Sequence, residues 1–210
     1  MSTRILLGGV VVATSMLFLS TRALAVDVTI GDQDFVNGQI LAGSVAEFNA
    51  ASAGEPVPFD RFYGSDFNPP YSQSWTFNYA PLPVSSASIT LGIFDHDSQA
   101  PGNQVASFTV DGVDVTALLN TAFESSGGQH GEVNVYTVAL PAAAFPVLSD
   151  GAATFQLTLT GPGLGTGGEI LPGNGAGTDF ATLSVVPEPA AAIAALAAML
   201  ITAATRRRAR

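Results

Sequence analysis

The chain has 210 residues, with 17 acidic side chains, seven basic ones that are all Arg, and no Cys. Residues 26–186 hold 16 Asp and Glu against Arg61 alone, so the net charge of this part is near −15. Such a charge repels nucleic acid and anionic lipid, which excludes nucleic-acid binding, and the absence of Cys excludes thiol nucleophiles, thiolate metal sites and disulfides.

Residues 1–25 have the pattern of a secretory signal peptide. Arg4 gives a positive start, residues 5–19 form an apolar helix, and Ala23 and Ala25 form a small-x-small cleavage site. The alternative is an uncleaved membrane helix, but polar residues interrupt the apolar run before it reaches the roughly 20 residues of a full span. We therefore expect an exported chain that is cleaved after Ala25.

Residues 26–186 are long enough for one domain with a substantial core, and apolar and polar residues alternate through most of it. Period-two patterns rich in β-branched and aromatic residues predict β-strands. The strands are predicted at residues 26–30, 75–79, 89–93, 108–110, 133–135, 155–159 and 180–186. Their inward faces predict a core that includes Trp75, Phe77, Leu91, Phe108, Tyr136, Phe155, Leu157 and Phe180.

Turn signals separate these strands. Asp111-Gly112, between two Val residues, fits a tight hairpin. Residues 114–123 are typical of one short helix, with Asp114 or Thr116 as its N-cap. Roughly eight to ten short strands at this spacing predict an all-β fold, an antiparallel β-sandwich that is jelly-roll-like.

Two stretches are predicted to be loops. Residues 50–58 are rich in small residues and Pro, and residues 161–177 contain eight Gly and two Pro. A segment so rich in Gly cannot form a regular element and should be mobile. It is either a flexible excursion before the last strand or, alternatively, a rim that grips a ligand.

The sequence Asp95-His96-Asp97 follows directly on an apolar strand. Two carboxylates at i and i+2 can converge on Ca²⁺, which takes six to eight oxygen ligands, and Asn103 or Gln104 could complete the shell. His96 should point to the opposite face, because neighbouring strand side chains alternate. The alternative is a solvated charged turn, since Asp is common in turns and the chain has no Asp-x-Asp-x-Asp-Gly loop.

Other features give a weaker indication of chemistry. The sequence contains no Gly-x-Ser-x-Gly elbow, no phosphate-binding loop before a Lys and no His-Glu-x-x-His. We therefore expect that the protein is not an enzyme, although a carboxylate pair of a glycoside hydrolase remains a remote alternative. An aromatic group could stack on sugars or lie in the core: Tyr63, Phe67, Tyr71, Trp75 and Tyr79.

The segment from residue 187 onward has three parts in order. Pro187, Glu188 and Pro189 precede an apolar run over residues 190–204, which should be helical in a membrane. A cluster of Arg follows this run, and by the positive-inside rule it should remain in the cytoplasm. Its members are Arg206, Arg207, Arg208 and Arg210.

This arrangement resembles the PEP-CTERM sorting signal of Gram-negative bacteria that make exopolysaccharide. The resemblance implies that an exosortase, a membrane-embedded Cys transpeptidase, recognises Pro187, Glu188 and Pro189 and processes the tail nearby. It also implies that the apolar helix is a transient membrane anchor and that the Arg cluster is its cytoplasmic stop. The body is similar to the β-rich passengers of uncharacterised members of this group, which implies no activity.

The sequence thus predicts a signal peptide at 1–25, a β-sandwich domain at 26–186 and a sorting tail at 187–210. We expect a protein that passes through the inner membrane to the cell envelope, the outer surface or the extracellular matrix. Its predicted role is structural or adhesive and linked to exopolysaccharide and biofilm. The alternative is a calcium-assisted carbohydrate-binding module.

Overall fold

The computed structural model describes residues 24–42 and 45–189. The predicted signal helix, the apolar helix over residues 190–204 and the Arg cluster therefore lie outside the described residues. Within the described part of the chain, no helix is long and apolar enough to cross a membrane.

Antiparallel β-strands dominate the structure. They are β1 (Val26–Gly31), β2 (Gln39–Ile40), β3 (Phe62–Tyr63), β4 (Ser72–Asn78), β5 (Val84–Phe94), β6 (Val105–Val110), β7 (Val113–Asp114), β8 (Glu132–Ala139), β9 (Ala152–Leu159), β10 (Gly163–Leu164), β11 (Ile170–Leu171) and β12 (Ala176–Pro187). The helices are α1 (Val45–Ala51), α2 (Thr116–Phe123) and α3 (Phe145–Leu148), with one 3₁₀ turn at Ala142–Ala144.

The principal strands form two sheets. The first has the order β1-β12-β5-β8-β2, with β3 also paired to β12, and the second has the order β4-β9-β6-β7. Between β1 and β12 the chain crosses repeatedly from one sheet to the other, which is the strand order of a jelly roll. The all-β sandwich expected from the sequence is therefore confirmed.

The core lies between the two sheets. Phe155 is fully buried, and its ring lies 6.1 Å from that of Trp75 and 5.7 Å from those of Phe77 and Phe108. All eight residues predicted for the core are buried. Phe180, however, is on the other face of β12 from the core residues Ala181 and Leu183, since side chains alternate along the strand.

The outer face of the first sheet carries a second, smaller apolar cluster. Phe48 of α1 stacks on Phe94, with ring centroids 5.0 Å apart. The loop predicted at residues 50–58 starts too early, because the unpredicted helix α1 extends to Ala51. This short helix covers the end of the sheet that β5 reaches at Phe94.

The predicted local features are mostly confirmed. Val110 pairs with Val113, and Asp111 and Gly112 between them have φ values of 46° and 81°, as a two-residue hairpin with two left-handed positions requires. The helix expected at 114–123 is α2. Its N-cap is Val115, which was not predicted, although Asp114 Oδ1 accepts a hydrogen bond from the Thr116 amide at 2.9 Å.

The Gly-rich segment differs from the prediction. It contains the short hairpin β10–β11, and its last residues already belong to β12. Its glycines permit close packing: a Cβ on Gly173 would lie 2.3 Å from the carbonyl oxygen of Ser65. The Gly residues of this segment therefore allow its backbone to pack closely against neighbouring backbone, in addition to giving the chain more conformational freedom.

The two ends of the described domain lie side by side. β1 pairs with β12 in the register Val26–Val185, and Pro187 still pairs with Val84 of β5. The last strand therefore extends one residue beyond the predicted domain boundary at residue 186. Both sequence junctions, with the predicted signal peptide and with the predicted tail, are at the same end of the first sheet.

Candidate metal centre

Asp95 and Asp97 lie directly after β5, at the end of the sheet remote from Pro187. Both have left-handed backbone conformations, with φ values of 62° and 56°, which Asp adopts more readily than most residues. The two residues are only 2% and 0% exposed. The turn is therefore not solvated, which is contrary to the alternative interpretation of the sequence.

Asp66 and His130 complete the cluster from distant parts of the chain. One ligand atom each from Asp66, Asp95 and His130 lie within 4.8 Å of one another. Asp95 Oδ1 accepts a hydrogen bond from the Gly131 amide and lies 3.5 Å from His130 Nδ1. Asp66 Oδ1 accepts from the Gly175 amide at 3.0 Å, which ties it to the start of β12.

Asp97 joins this group through Asp95, because the two buried carboxyl groups are close enough for the charge of Asp95 to raise the pKa of Asp97. Its Oδ2 accepts a hydrogen bond from the Leu164 amide at 2.7 Å, whereas its buried Oδ1 has no partner. An ionised carboxylate can only accept, so a buried oxygen without a donor is stabilised by a proton or by a cation. The orphaned Oδ1 is the observation that fits a bound cation best.

Burial also changes the acidity of these groups. It raises the pKa of Asp97, and the negative charge of Asp95 raises it further. Burial likewise raises the pKa of Asp95 and of Asp66, partly opposed by the amides that bond to them. A cation at this point would favour the ionised forms and stabilise the charges that the surroundings otherwise disfavour.

His96 takes no part in the cluster, as predicted. Its Nε2 lies 3.1 Å from Asn134 Oδ1 and 2.9 Å from the hydroxyl of Tyr136, and its ring packs against Phe123 with centroids 4.0 Å apart. Burial lowers its pKa to about 3. The predicted reason was wrong, because the Asp residues are in left-handed turn positions and strand alternation does not apply.

Polar side chains beneath the turn hold it in place. Asn174 Nδ2 donates to the carbonyl oxygen of His96 at 2.9 Å and to Gln104 Oε1 at 3.3 Å. Gln104 Nε2 donates to the carbonyl oxygens of Ala100 and Gly102. Gln104 was considered as a ligand from the sequence. It instead supports the turn through Asn174.

Only Asp95 and Asp97 of this centre are predictable from the sequence. Asp66 and His130 stand 29 residues before and 35 residues after Asp95, on loops whose positions follow from the strand order and the Gly-rich segment. No motif relates them. The three carboxylates form a donor set suited to a hard divalent cation such as Ca²⁺. The His130 imidazole is not a ligand that Ca²⁺ prefers, and its Nδ1 donates to the carbonyl oxygen of Leu164 at 2.9 Å.

The aromatic group does not form a platform for sugars. Tyr71 and Trp75 are buried, and the Tyr79 hydroxyl donates to the carbonyl oxygen of Leu148 at 2.5 Å. Tyr63 bonds to Asp60 and lies beneath Arg61. Phe67 alone is largely exposed, at 68%. Tyr71 and Trp75, the central members of this aromatic group, are therefore buried residues and not a stacking surface for sugars.

The residues predicted for processing are accessible where they are described. Ala25 is exposed and immediately precedes β1, whereas Ala23 lies outside the described residues. Glu188 and Pro189 are exposed, and the Glu188 amide donates to the carbonyl oxygen of Pro83 at 2.9 Å. Pro187 is half-buried at the end of β12.

Comparison with known proteins finds no match in sequence and a weak similarity in structure. No protein-family model matches the chain, and no curated protein sequence does. Among solved structures, the fold is similar to part of dimeric latent PorU from Porphyromonas gingivalis, with a TM-score of 0.42 and 8% sequence identity. The similarity covers 80% of this chain and 13% of that one.

Proposed function

We propose that this chain is an exported protein that an exosortase-type transpeptidase sorts to the cell envelope or the extracellular matrix. Its role there is structural or adhesive, in a matrix linked to exopolysaccharide. The end of the sandwich remote from the tail binds calcium through the carboxylates of Asp66, Asp95 and Asp97. The pairing of β1 with β12 is the observation that carries this proposal.

That pairing supports export and sorting together. Val26, the residue after the predicted signal-peptide cleavage site, lies beside Val185, two residues before Pro187. A domain held through either segment would therefore be attached at the same end. Glu188, Pro189 and Ala25 are exposed at this end, so processing enzymes could reach them without unfolding the sandwich.

The position of the metal centre supports a role directed away from the membrane. β5 has 11 residues and runs from Val84, beside Pro187, to Phe94, directly before Asp95. At about 3.4 Å per residue, the centre lies roughly 30–35 Å from the start of the tail. The membrane-distal end is where a surface protein would meet its surroundings.

A calcium-assisted carbohydrate-binding module is the second candidate. A shallow cavity of about 250 Å³ adjoins the cluster and is lined in part by Gln99, Gln129, His130 and Thr166. Its amide and hydroxyl groups could hydrogen-bond sugar hydroxyls beside a bound cation. The buried aromatic residues give this candidate no stacking surface.

The test of the sorting proposal is mass spectrometry combined with cell fractionation in the native host. We expect the surface-located protein to lack the segment from about residue 190 onward, and Glu188→Ala to accumulate uncleaved at the inner membrane. Glu124→Ala, which changes an exposed Glu far from the tail, is the matched control and should be sorted normally. An intact Arg210 in surface-located protein would contradict sorting and leave a plain tail anchor.

A further inference from the structure

One edge of the first sheet lies open along β8. On this side β8 pairs with β2 at Glu132 and Val133. Beyond Val133, no strand of the described chain lies beside β8 on this side, and Thr137 and Ala139 are exposed. An open edge presents a row of backbone amides and carbonyls, which is a template for another strand.

The direction of these backbone groups follows from the pairing of β8 with β5. The Leu140 amide donates to the carbonyl oxygen of Ala87 at 2.9 Å. At the other end of the pair, the Asp95 amide donates to the carbonyl oxygen of Glu132 at 2.9 Å. Backbone groups alternate in direction along an antiparallel strand. The even-numbered residues of β8 therefore bond to β5, and the odd-numbered residues direct their amides and carbonyls to the open edge.

Val135 is consistent with this alternation. Its amide points to the open edge, where it donates to Asn37 Oδ1 at 2.8 Å. The other outward groups between residues 135 and 139 are the Val135 carbonyl and the amides and carbonyls of Thr137 and Ala139. They form a short, regularly spaced row of donors and acceptors.

The edge carries none of the features that usually protect one. Natural edge strands are blunted by charged side chains, Pro or bulges. Residues 133–139 contain no charged residue and no Pro, and their register with β5 is regular. A groove of about 500 Å³ runs beside the edge between β8 and α2, and no charged side chain lines it. Leu118 of α2 lies on the far wall of this groove and is 40% exposed.

The absence of charge along this edge selects the kind of partner. Residues 26–186 have a net charge near −15, so two copies of the domain repel each other wherever their carboxylates meet. The β8 edge is a place where two copies can approach without facing carboxylates. A basic partner would gain no attraction from an edge that lacks acidic side chains.

We propose that β8 is the interface between two copies of this chain, which pair antiparallel about a two-fold axis at Thr137. Each Thr137 amide then donates to the carbonyl of Thr137 in the other copy, and each Ala139 amide donates to the other Val135 carbonyl. This register uses the outward groups and omits the Val135 amide, which Asn37 already accepts. The first sheet would continue from one copy into the other, with Leu118 against the second copy. The proposal depends neither on sorting nor on calcium.

The first test is disulfide cross-linking of the full chain in mild detergent. The chain has no Cys, so Thr137→Cys gives each copy a single thiol. Directly opposed residues of a hydrogen-bonded pair have Cα atoms about 5.5 Å apart, which a disulfide can span. We expect mild oxidation to produce a covalent dimer of this variant.

Thr29→Cys is the matched control for cross-linking. Thr29 lies on the exposed face of β1, and its hydroxyl bonds to that of Thr182 at 2.8 Å, just as the Thr137 hydroxyl bonds to that of Thr90 at 2.8 Å. The two Cys variants therefore lose the same kind of contact. We expect the Thr29→Cys variant to remain monomeric under the same oxidation.

Sedimentation velocity tests the same interface without Cys. We expect the wild type to be dimeric and Thr137→Glu to be monomeric, because like charges directly opposite each other destabilise a strand pair. Thr137 is exposed, so this variant should keep the circular dichroism of the wild type. Thr29→Glu adds the same charge on β1 and should remain dimeric. A monomeric wild type, a dimer that Thr137→Glu leaves intact, or equal cross-linking at residues 29 and 137 would overturn the proposal.

Discussion

At the scale of single residues, the least expected feature is the burial of acid. Asp97 and Asp179 are both fully buried, and each has one oxygen without a partner. An unpaired buried charge is costly, so a protein keeps such a group only when it is protonated or bound by a cation. Because of this free-energy cost, the two buried residues should respond to cation binding more strongly than exposed carboxylates would.

Replacement of Asp97 by Asn should remove most of the stabilisation that calcium gives through the Asp95 centre. Calcium binds the folded state, so it should raise the wild-type Tm in a concentration-dependent way. Asn cannot supply the charge, but it can still accept the Leu164 amide, so the metal-free Tm should stay similar or rise slightly. Thermal unfolding with and without calcium measures both effects, with Asp114→Asn, an exposed carboxylate, as the control variant.

Sodium chloride at matched ionic strength is the control for screening of the acidic surface. If sodium reproduced the whole rise in Tm, the carboxylates would respond to salt in general and no specific site would exist.

The pH dependence has a definite sign. The folded state raises the pKa of Asp97 above its unfolded value near 4, so its protonated form stabilises the fold. When a chelator has removed the metal, this contribution to the stability of the fold is complete below about pH 4. It is lost as the pH rises through the raised pKa of Asp97. Calcium needs ionised ligands, so the calcium-induced rise in Tm should be larger at about pH 8 than at about pH 5. A rise independent of pH would show that the buried carboxyl groups are not the ligands.

At the scale of strands and helices, the interior of the sandwich depends on alternation. Phe155 of β9 contacts three aromatic rings in the core, whereas the preceding Thr154 faces outward and bonds to the Thr76 hydroxyl at 2.9 Å. A slip of one residue in the register would exchange these two faces.

We expect Phe155→Ala to lower the free energy of unfolding by about 3–5 kcal/mol, because it leaves a cavity among packed rings. Thr154→Ala, its neighbour on the opposite face, loses one exposed cross-strand contact and should cost about 1 kcal/mol or less. Chemical denaturation of the two variants in parallel measures the difference. Equal costs would contradict the assigned faces of β9.

The difference between local and long-range contacts explains how much of the structure the sequence could predict. Strands such as β9 and the Asp111-Gly112 hairpin depend on neighbours in sequence, so alternation and turn chemistry reveal them. Asp66 and His130 meet Asp95 only because distant loops converge, and no local pattern encodes that distance. The bulge of β12 at Asp179, where the register with β5 shifts, also escaped prediction, because it changes the face of one strand without changing its composition.

At the scale of the whole molecule, acidic side chains collect at the end remote from the tail. They are Asp32, Asp34, Glu55, Asp66, Asp95, Asp97 and Asp179. Repulsion from anionic lipid would favour an orientation with this end directed away from a membrane.

Fluorescent labels at the two ends should report this orientation. The chain has no Cys, so Ser86→Cys, beside Val186, and Thr166→Cys, in the β10–β11 hairpin, each create a unique labelling position. In the full chain reconstituted into vesicles, quenchers on the lipid headgroups should quench the label at residue 86 more strongly than that at 166. Equal quenching would contradict a domain that stands on its tail end.

For an exported chain, as we propose, the central place of β12 also determines when the domain can fold. In such an export β1 would leave the membrane first, but within the described sheet its partner is β12, which also joins β5 and β3. The first sheet therefore stays open until residues 176–187 have crossed, and a secreted intermediate that lacks them has an unpaired first strand. Pro187, which ends this closing strand, also begins the predicted sorting motif. Completion of the fold and presentation of that motif are thus expected to coincide in time, so the domain leaves the membrane only after it has closed.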